Sequence, residues 1–586
     1  MKKWMVAAKK ADFNAIGQKF GISPMLARII RNRDVTGDKA IDMFLSGDLN
    51  DLYDPMLLKD MDRALEIIEE GVMRKEHIRV VGDYDIDGVC STYILIRGLS
   101  LFGANVDHRL PDRIKDGYGI NESMVDEAKE DLVDIILTCD NGIAAAKELE
   151  HARSLGMRVI VTDHHEVPFE EEDGVRKYIL PKADAVIDPK RVDCSYPYRE
   201  ICGAVVALKL IFALHNKAPF LTERDRRELI SFAAFATVGD IMPLLDENRI
   251  LVRYGLEFMK NTDNPGLDAL LDTTKVDRRS LSPYIIGFVL GPCINATGRL
   301  DSAERALDLF MAGNAADASR LANELRELNE SRKEMTEYYT EYARNLVLSG
   351  EETGDGLHNF SEDKVLVIYL PDCHESLAGI VAGRIKEYFY KPTFVITRTS
   401  EGCKGSGRSI EAYDMHEEMT RCADLFDKFG GHKMAAGFSL PEENISGLRE
   451  RLNAASRLSE DDLTEKIVMD IAMPINYATL EFAKELETLS PFGTGNPKPL
   501  FGQSHLEILS VNVFGKNRNV VKLKLRSNED GAALKAERDA VWFGDGDEFL
   551  AGLNGSKMIS IIYTPQVNSY MGRETLQLNI RDYKAG

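Results

Sequence analysis

Little in this sequence marks a secreted or membrane protein. Eight cysteines are scattered over 586 residues, at 90, 139, 194, 202, 293, 373, 403 and 422, with no C-x-x-C pair among them. Disulfide frameworks and zinc clusters need paired or closely spaced thiols. Scattered ones, several in apolar runs, are read as buried thiols of a reducing compartment, most simply the cytoplasm. No apolar run approaches the roughly 20 residues of a membrane-spanning helix, so no membrane anchor is expected. The first residues, MKKWMVAAKKADF, have a positive start without a sustained apolar core, and no secretion signal is expected. Positive charge is also scarce: 73 basic residues face 95 acidic ones, for a net charge of −22. That excludes wholesale electrostatic binding of nucleic acid but leaves room for a local basic groove.

What is present is ordinary globular composition, 44% hydrophobic and 29% charged, in a chain long enough for roughly two to four domains. Residues 1–55 form a helical lead-in by periodicity, and a helix over 60–73 delivers the chain to the stretch IRVVGDYDIDGVCSTYIL, which begins at Ile78. Strand and helix patterns then alternate through ANVDHRLP, VDIILTCDNG, MRVIVTDHHE and DAVIDPK. Short β-rich runs separated by helices predict βαβ units and a mostly parallel sheet. In such sheets ligands collect beyond the carboxyl ends of the strands.

Those ends carry the chemistry. The first strand leads into Asp83, Asp85 and Asp87, a later one into Asp140, and the next into Asp163, His164 and His165. Carboxylates packed this closely repel one another, and a divalent cation removes the conflict. A single strand-end Asp is usually a helix cap, and a single Asp-rich turn is an ordinary solvated loop. Three such clusters at one sheet edge are read together as a metal site. Asp240, the only acid in LISFAAFATVGDIMPL, is a fourth contributor. Five carboxylates with one or two imidazoles suit two ions of Mg2+ or Mn2+, and such a pair hydrolyses phosphoesters or phosphoanhydrides.

Further along, 314–349 reads as a long charged helix, and a loop near 350–363 marks a boundary. A second lobe opens with KVLVIYL, GIVAGRIKEYF and TFVIT. In it Ser406 and Arg408 share one face of an extended run flanked by glycines, and Gly430, Gly431 and His432 offer a second glycine turn. Residues 442–488 read as helical. The last stretch is strand after strand, as in a small barrel. Within it Lys522, Lys524 and Arg526 lie on one face of a strand, either a nucleic-acid stripe or an edge guarded by lysines. Trp542, Phe543 and Tyr570 are the candidate stacking aromatics.

The motifs DYDIDG, strand-final Asp140, Asp163-His164-His165 and VGDIMPL resemble the DHH phosphoesterase superfamily, and FGGHKMAAGF resembles its DHHA1 domain. LPDRIKDGYGIN, INATGRL, HESLAGIVAGRIKEYFYKP, GSGRSIEAYDMH and LSPFGTGNPKP extend the likeness over nearly the whole chain. They point to the bacterial single-strand-specific 5′→3′ DNA exonucleases of that superfamily. The resemblance implies an α/β architecture: lead-in 1–55, parallel-sheet DHH domain 56–313, connecting helix 314–350, mixed α/β DHHA1 domain with a helical segment 351–488, and OB-like β-barrel 489–586. It implies that Asp85, Asp87, Asp140, His164 and Asp240 hold the metals, with Asp83, Asp163 and His165 adjoining. Arg113, Arg299, Ser406 and Arg408 would hold a terminal 5′ phosphate. Implied partners are single-stranded DNA, single-strand-binding protein and a recombination helicase, for a monomer working in repair and recombination. The family pattern TVAD is TVGD here, with Gly239 before Asp240. The rival readings are another DHH hydrolase acting on short oligoribonucleotides, cyclic dinucleotides or pyrophosphate, and a noncatalytic binding factor.

Overall fold

The computed structural model describes residues 2–113, 115–172, 175–349, 352–353, 356–400, 402–527, 536–570 and 572–586. The boundary expected at 350/351 lies outside them. The backbone divides into two compact units. One comprises Trp4–Gly291, Phe310–Ala315 and Ile467–Gly586, and the other is chiefly Pro292–Leu309 and Ala316–Lys466.

In the first unit five short strands form a parallel sheet in the spatial order Asn105–Arg109, His77–Val81, Ile135–Cys139, Arg158–Thr162, Ala185–Ile187. The four strands from His77–Val81 to Ala185–Ile187 are almost wholly buried, as apolar strands covered on both faces must be, while the edge strand Asn105–Arg109 is polar and partly exposed. Val81 pairs with Thr138, Cys139 with Thr162 and Thr162 with Ile187. The strands therefore end together along one edge. His77–Val81 is flanked by the second and third strands in chain order, so the order reverses there and a crevice opens beyond its carboxyl end. The helix Ile86–Phe102 leaves from that edge, buried on nearly every face, and packs on Gly203–Lys217 and Glu223–Gly239.

The C-terminal strands belong to the same unit. Phe501–Phe514, Val520–Arg526, Glu537–Phe543, Arg573–Ala585 and Met558–Tyr570 pair in that order, and the last pairs back with the first. The ladders thus close on themselves, giving the expected OB-like sheet. The sheet takes in chain before residue 489, because Ile471–Ala472 runs parallel to Phe501–Gly502. The helical reading of 442–488 is corrected accordingly. Helices Asn444–Ala455 and Leu480–Glu487 are separated by strands Lys466–Met469 and Ile471–Ala472. Phe482 and Leu486 of the second helix are buried in the C-terminal core rather than in the preceding lobe. That core also receives Leu26, Ile29, Ile30, Ile41 and Phe44 from the N-terminal helices. Helices of eight or nine residues cannot hold themselves together in water, so the lead-in is ordered by packing against residues more than four hundred positions away.

Arg249 joins these parts. It is 1% exposed. Its guanidinium donates to the carbonyl oxygens of Phe44 (2.7 Å), Leu489 (2.9 Å) and Ser490 (2.7 Å), and it stands 4.0 Å over the Phe44 ring. The carbonyls at 488–490 follow the helix Leu480–Glu487, whose carboxyl end favours a cation. Burial pulls the Arg249 pKa down to about 9. Replacing it with methionine leaves buried carbonyls unsatisfied. Arg249→Met is expected to lower stability by about 3–5 kcal/mol, read from urea denaturation of the full chain.

The second unit holds a five-stranded sheet in the order Leu366–Tyr369, Thr393–Thr399, Gly402–Arg408, Ala435–Leu440, Lys428–His432. Only the first pair is parallel, the mixed α/β arrangement expected. The charged helix runs Ala315–Ser349.

Candidate metal centre

Each acidic residue reaches the sheet edge by a separate local device. Asp85 caps the helix Ile86–Phe102, its Oδ1 accepting from the amides of Asp87 (2.9 Å) and Gly88 (3.1 Å). Asp83 is 2% exposed and accepts from Gly119 N. Asp87 is held at the amino end of another helix, its two oxygens accepting from Gly203 N (2.7 Å) and Ala204 N (2.8 Å). That helix has no side-chain cap of its own, so the Asp87 carboxylate satisfies its free amides and meets its positive end. Asp140 sits in the left-handed region at φ 59°, and Tyr118 donates its hydroxyl to the Asp140 carbonyl (2.9 Å). Asp240 caps the carboxyl end of the helix Glu223–Gly239, its amide bonded to Ala236 O.

The three residues of the DHH sequence divide their work. Asp163 spends both oxygens on protein donors: Oδ1 accepts from the His164 and His165 amides and lies 2.8 Å from His165 Nδ1, and Oδ2 accepts from Ile143 N. It orients its neighbours. His164 points its Nε2 to within 3.1 Å of Asp140 Oδ1, 3.5 Å of Asp87 Oδ2 and 3.8 Å of Asp240 Oδ2. His165 is half-exposed and lies against Tyr118, with ring centroids 5.7 Å apart.

Burial, then the Asp87 charge, raises the Asp85 and Asp140 carboxyls, while burial and the Asp85 charge raise Asp83. Asp240 is pushed up to about 8 by burial and by Asp87 and Asp85. Burial lowers His164, which suits a neutral ligand nitrogen. Burial opposes the charged form of His165 as well, but the Asp163 hydrogen bond together with the Asp163, Asp240 and Asp87 charges outweighs it and holds the ring near 9. Among the described residues no lysine or arginine lies within salt-bridge distance of Asp83, Asp85, Asp87, Asp140 or Asp240. Asp140 Oδ1 and His164 Nδ1 are buried without a hydrogen-bond partner. Ligand atoms gather within 4.8 Å in three overlapping sets: Asp83, Asp85 and Asp140; Asp87, His164 and Asp240; Asp140, His164 and His165. An acidic, oxygen-rich cluster with a neutral His164 imidazole and no lysine or arginine partner among the described residues fits divalent cations, and Asp140 is shared between two of the sets.

Sequence reasoning missed several supports. The Gly203 and Ala204 amides have no side-chain signature. Asp188, at the end of the fifth strand, is fully buried, and burial with the Asp163 charge lifts it to about 8; its place in DAVIDPK was the available signal. Tyr84 and Tyr118 meet edge to face (6.4 Å), and the Arg113 guanidinium lies 4.9 Å from the Tyr84 ring. Arg113, expected to hold a terminal 5′ phosphate, thus stands over Tyr84, the residue between Asp83 and Asp85.

In the second unit Ser406 and Arg408 share a face of the strand Gly402–Arg408, with Arg408 Nη1 3.0 Å from Ser406 Oγ. Register sets Gly437 and Gly430 in a row beside Ser406, and Ala435 and His432 in a row beside Arg408. Gly430 and Gly431 therefore lie in a strand, which corrects the expected glycine turn. A Cβ on Gly430 or Gly437 would meet nothing within 4 Å, so the row leaves the sheet surface bare. Gly379, at the start of the helix Ala378–Phe389, comes so near that a Cβ there would lie 2.8 Å from Arg408 Nη2 and 2.9 Å from Ser406 Oγ. Arg299 donates to Ser376 O on the turn just before that helix. Hydroxyl, guanidinium and helix amides so arranged suit a phosphate.

The OB-like strand Val520–Arg526 exposes Lys522 and Lys524. It is paired on both sides, so the edge-strand reading falls. Lys524 and Arg526 pair with Glu537, and Arg526 also with Glu507, which weakens the stripe to Lys522 in particular. Trp542 packs on Phe549 and Tyr583 instead of facing solvent, while Phe543 is exposed. The Tyr570 side chain lies outside the described residues. Phe514, with Lys522 5.4 Å from its ring, lines a groove of about 270 Å³ with Asn512, Lys524 and Gln577.

Comparison with known proteins decides the family. Residues 77–237 match the DHH family N-terminal domain, 362–457 the DHHA1 domain and 469–582 the RecJ OB domain. The chain is 34% identical to the single-stranded-DNA-specific exonuclease RecJ of Bacillus subtilis, covering 99% of this chain and 70% of that protein. It is 33% identical to the Escherichia coli protein of that name, over 95% of each. The chain belongs to the RecJ family. The crystal structure of RecJ in complex with Mn2+ from Thermus thermophilus superposes with a TM-score of 0.81 at 28% identity, covering 100% of this chain and 80% of that one. The corresponding Mg2+ complex gives 0.76 at 26% identity, covering 100% and 78%.

The titrations fix a sign. Asp240, near 8 in the folded chain against about 4 unfolded, contributes stability that is complete below about pH 4 and lost as pH climbs through about 8. His165, raised to about 9, acts in the same direction above neutrality. Metal-stripped protein is therefore expected to melt at progressively lower temperature from about pH 7 to about pH 9. Added Mn2+ should abolish the decline in a thermal-shift series.

Proposed function

We infer that this protein is a metal-dependent exonuclease that hydrolyses phosphodiester bonds of single-stranded DNA from the 5′ end, in repair and recombination. The observation that carries the reading is the convergence of Asp85, Asp87, Asp140, His164 and Asp240 at one site with no lysine or arginine partner among the described residues. These residues are proposed to hold two ions, Mn2+ or Mg2+, with Asp83 and His165 within reach of the same positions. When bound, two such ions supply an activated water and neutralise charge at the phosphate and the leaving oxygen. The chain's own part is positional. Helix amides fix Asp87, the capping bonds fix Asp85, and Asp163 sets the orientation of His165 and the backbone of His164. His165, half-exposed and hydrogen-bonded to Asp163, would offer its other ring nitrogen to a phosphate oxygen.

Polarity is assigned to phosphate recognition. Ser406, Arg408 and the Gly379 helix end would take a terminal 5′ phosphate, with Arg299 and His432 contributing. The groove at Phe514 and Lys522 would take the strand itself, by stacking and charge. Single-stranded DNA is the substrate partner. Single-strand-binding protein, a recombination helicase, a monomeric state and a cytoplasmic location complete the proposal. No helix among the described residues is long and apolar enough to cross a membrane.

Two measurements test this reading. On end-labelled single strands with Mn2+, Asp140→Ala is expected to lower hydrolysis by at least about a hundredfold while the melting profile stays cooperative. Release of nucleotides from the 3′ end, or undiminished activity in the variant, would overturn it. Arg408→Ala is expected to raise KM for 5′-phosphorylated strands by about 10- to 100-fold, with little change for 5′-hydroxyl strands. Equal effects on both would remove the phosphate role.

A further inference from the structure

Two segments that carry metal ligands touch through apolar atoms. Ile86 stands between Asp85 and Asp87 at the start of its helix and is 1% exposed. Gly239 is the last helical residue before Asp240. A Cβ built on Gly239 would lie 2.5 Å from Ile86 Cδ1, 2.7 Å from Cγ2 and 3.1 Å from Cγ1. It would strike the body of the isoleucine, not a flexible tip. Isoleucine is stiff at χ1 in a helix, so its Cγ2 cannot swing clear without leaving that rotamer, and a second glycine faces it: a Cβ on Gly291 would lie 3.2 Å from the same Cδ1. Ile86 thus occupies the volume that a side chain at 239 would need.

The contact is flanked by ligands on both sides. Asp87 and Asp240, each one residue away from it, bring ligand atoms within 4.8 Å of one another and of His164. To admit a methyl group at 239, either the Ile86 turn or the end of the Asp240 helix must move by several tenths of an ångström. Functional sites lose performance at displacements of about 0.5 Å, and Mg2+ demands near-ideal octahedra at about 2.0–2.1 Å.

We propose that Ile86 and Gly239 form a size-matched pair of positioning residues that sets the separation of Asp87 from Asp240, and with it the fit of the cation between them. Neither residue touches cation or substrate. The proposal rests on the metal-centre reading given above and deepens it, because it says which apolar contact fixes the spacing. The two positions are expected to be exchangeable only together, with bulk gained at one matched by bulk lost at the other.

Binding measurements separate the alternatives without relying on turnover. The free-ion EPR signal follows Mn2+ titrations of the full-length wild type, Gly239→Ala, Ile86→Ala and the double variant, with Mg2+ as competitor and thermal melting as the check on folding. Wild type is expected to bind two Mn2+. Gly239→Ala is expected to weaken one of the two by about tenfold or more, with Mg2+ competing even less well at that position, and the double variant to recover most of the loss. If wild type binds no Mn2+, the metal reading fails and this proposal with it. If wild type binds two ions and Gly239→Ala binds them as tightly, or the double variant is no better than Gly239→Ala, the pairing alone is overturned. Should Gly239→Ala fail to fold, the double variant decides. A folded double variant with both sites supports the pairing, and one that is unfolded or retains a single site refutes it.

Discussion

Mutual repulsion among carboxylates is the constraint on which the structure turns. Asp83, Asp85, Asp87, Asp140 and Asp240 are brought to a dry sheet edge with no lysine or arginine among the described residues to meet them. The fold tolerates this by dividing the task among backbone donors. Amides at 87, 88, 119, 203 and 204 each take part of the load, and burial pushes the Asp83, Asp85, Asp140 and Asp240 carboxyls toward their neutral forms. Cations relieve what remains. The same strain that makes the metal-free site unfavourable makes it receptive to divalent ions, so folding and ion binding draw on one set of interactions.

Holding ligands from distant parts of the chain requires a scaffold that does not give. The helix Ile86–Phe102 is buried almost all round, which fixes Asp85 and Asp87 relative to the sheet. Asp240 arrives on a different helix and depends on packing against the first. Arg249, on the helix that follows, draws the C-terminal and N-terminal segments onto the same body through carbonyl oxygens. The OB-like sheet is therefore continuous with the metal-bearing unit and shares its core with the first helices of the chain.

Particular residues show how far the sequence can be read. The parallel sheet is legible because three of its apolar strands, alternating with helices, end in acids, and Asp83, Asp140 and Asp163 do lie at one edge. The pairing of Ser406 with Arg408 is legible from strand periodicity alone. The basic stripe misleads. Lys524 and Arg526 lie on the predicted face, but their neighbour across the ladder is Glu537, eleven residues beyond Arg526. Trp542, a candidate for stacking by residue type, is taken into the core by Phe549 and Tyr583. Gly430 and Gly431, which suggest a turn, lie in a strand whose partner follows a two-residue hairpin.

The sequence by itself determined which groups carry the chemistry, since residue type and strand-end position follow from local periodicity. It determined the parallel sheet, the long charged helix and the succession of C-terminal strands for the same reason. Only the tertiary structure decided how those groups are used. It committed both oxygens of Asp163 to hydrogen bonds with neighbouring donors, placed Asp87 on the free amides of a helix that begins over a hundred residues later, and set Ile86 into the space beside Gly239. Each of these depends on which atoms meet across long stretches of chain. Such meetings are fixed by packing and by the satisfaction of buried polar groups, which no local pattern records.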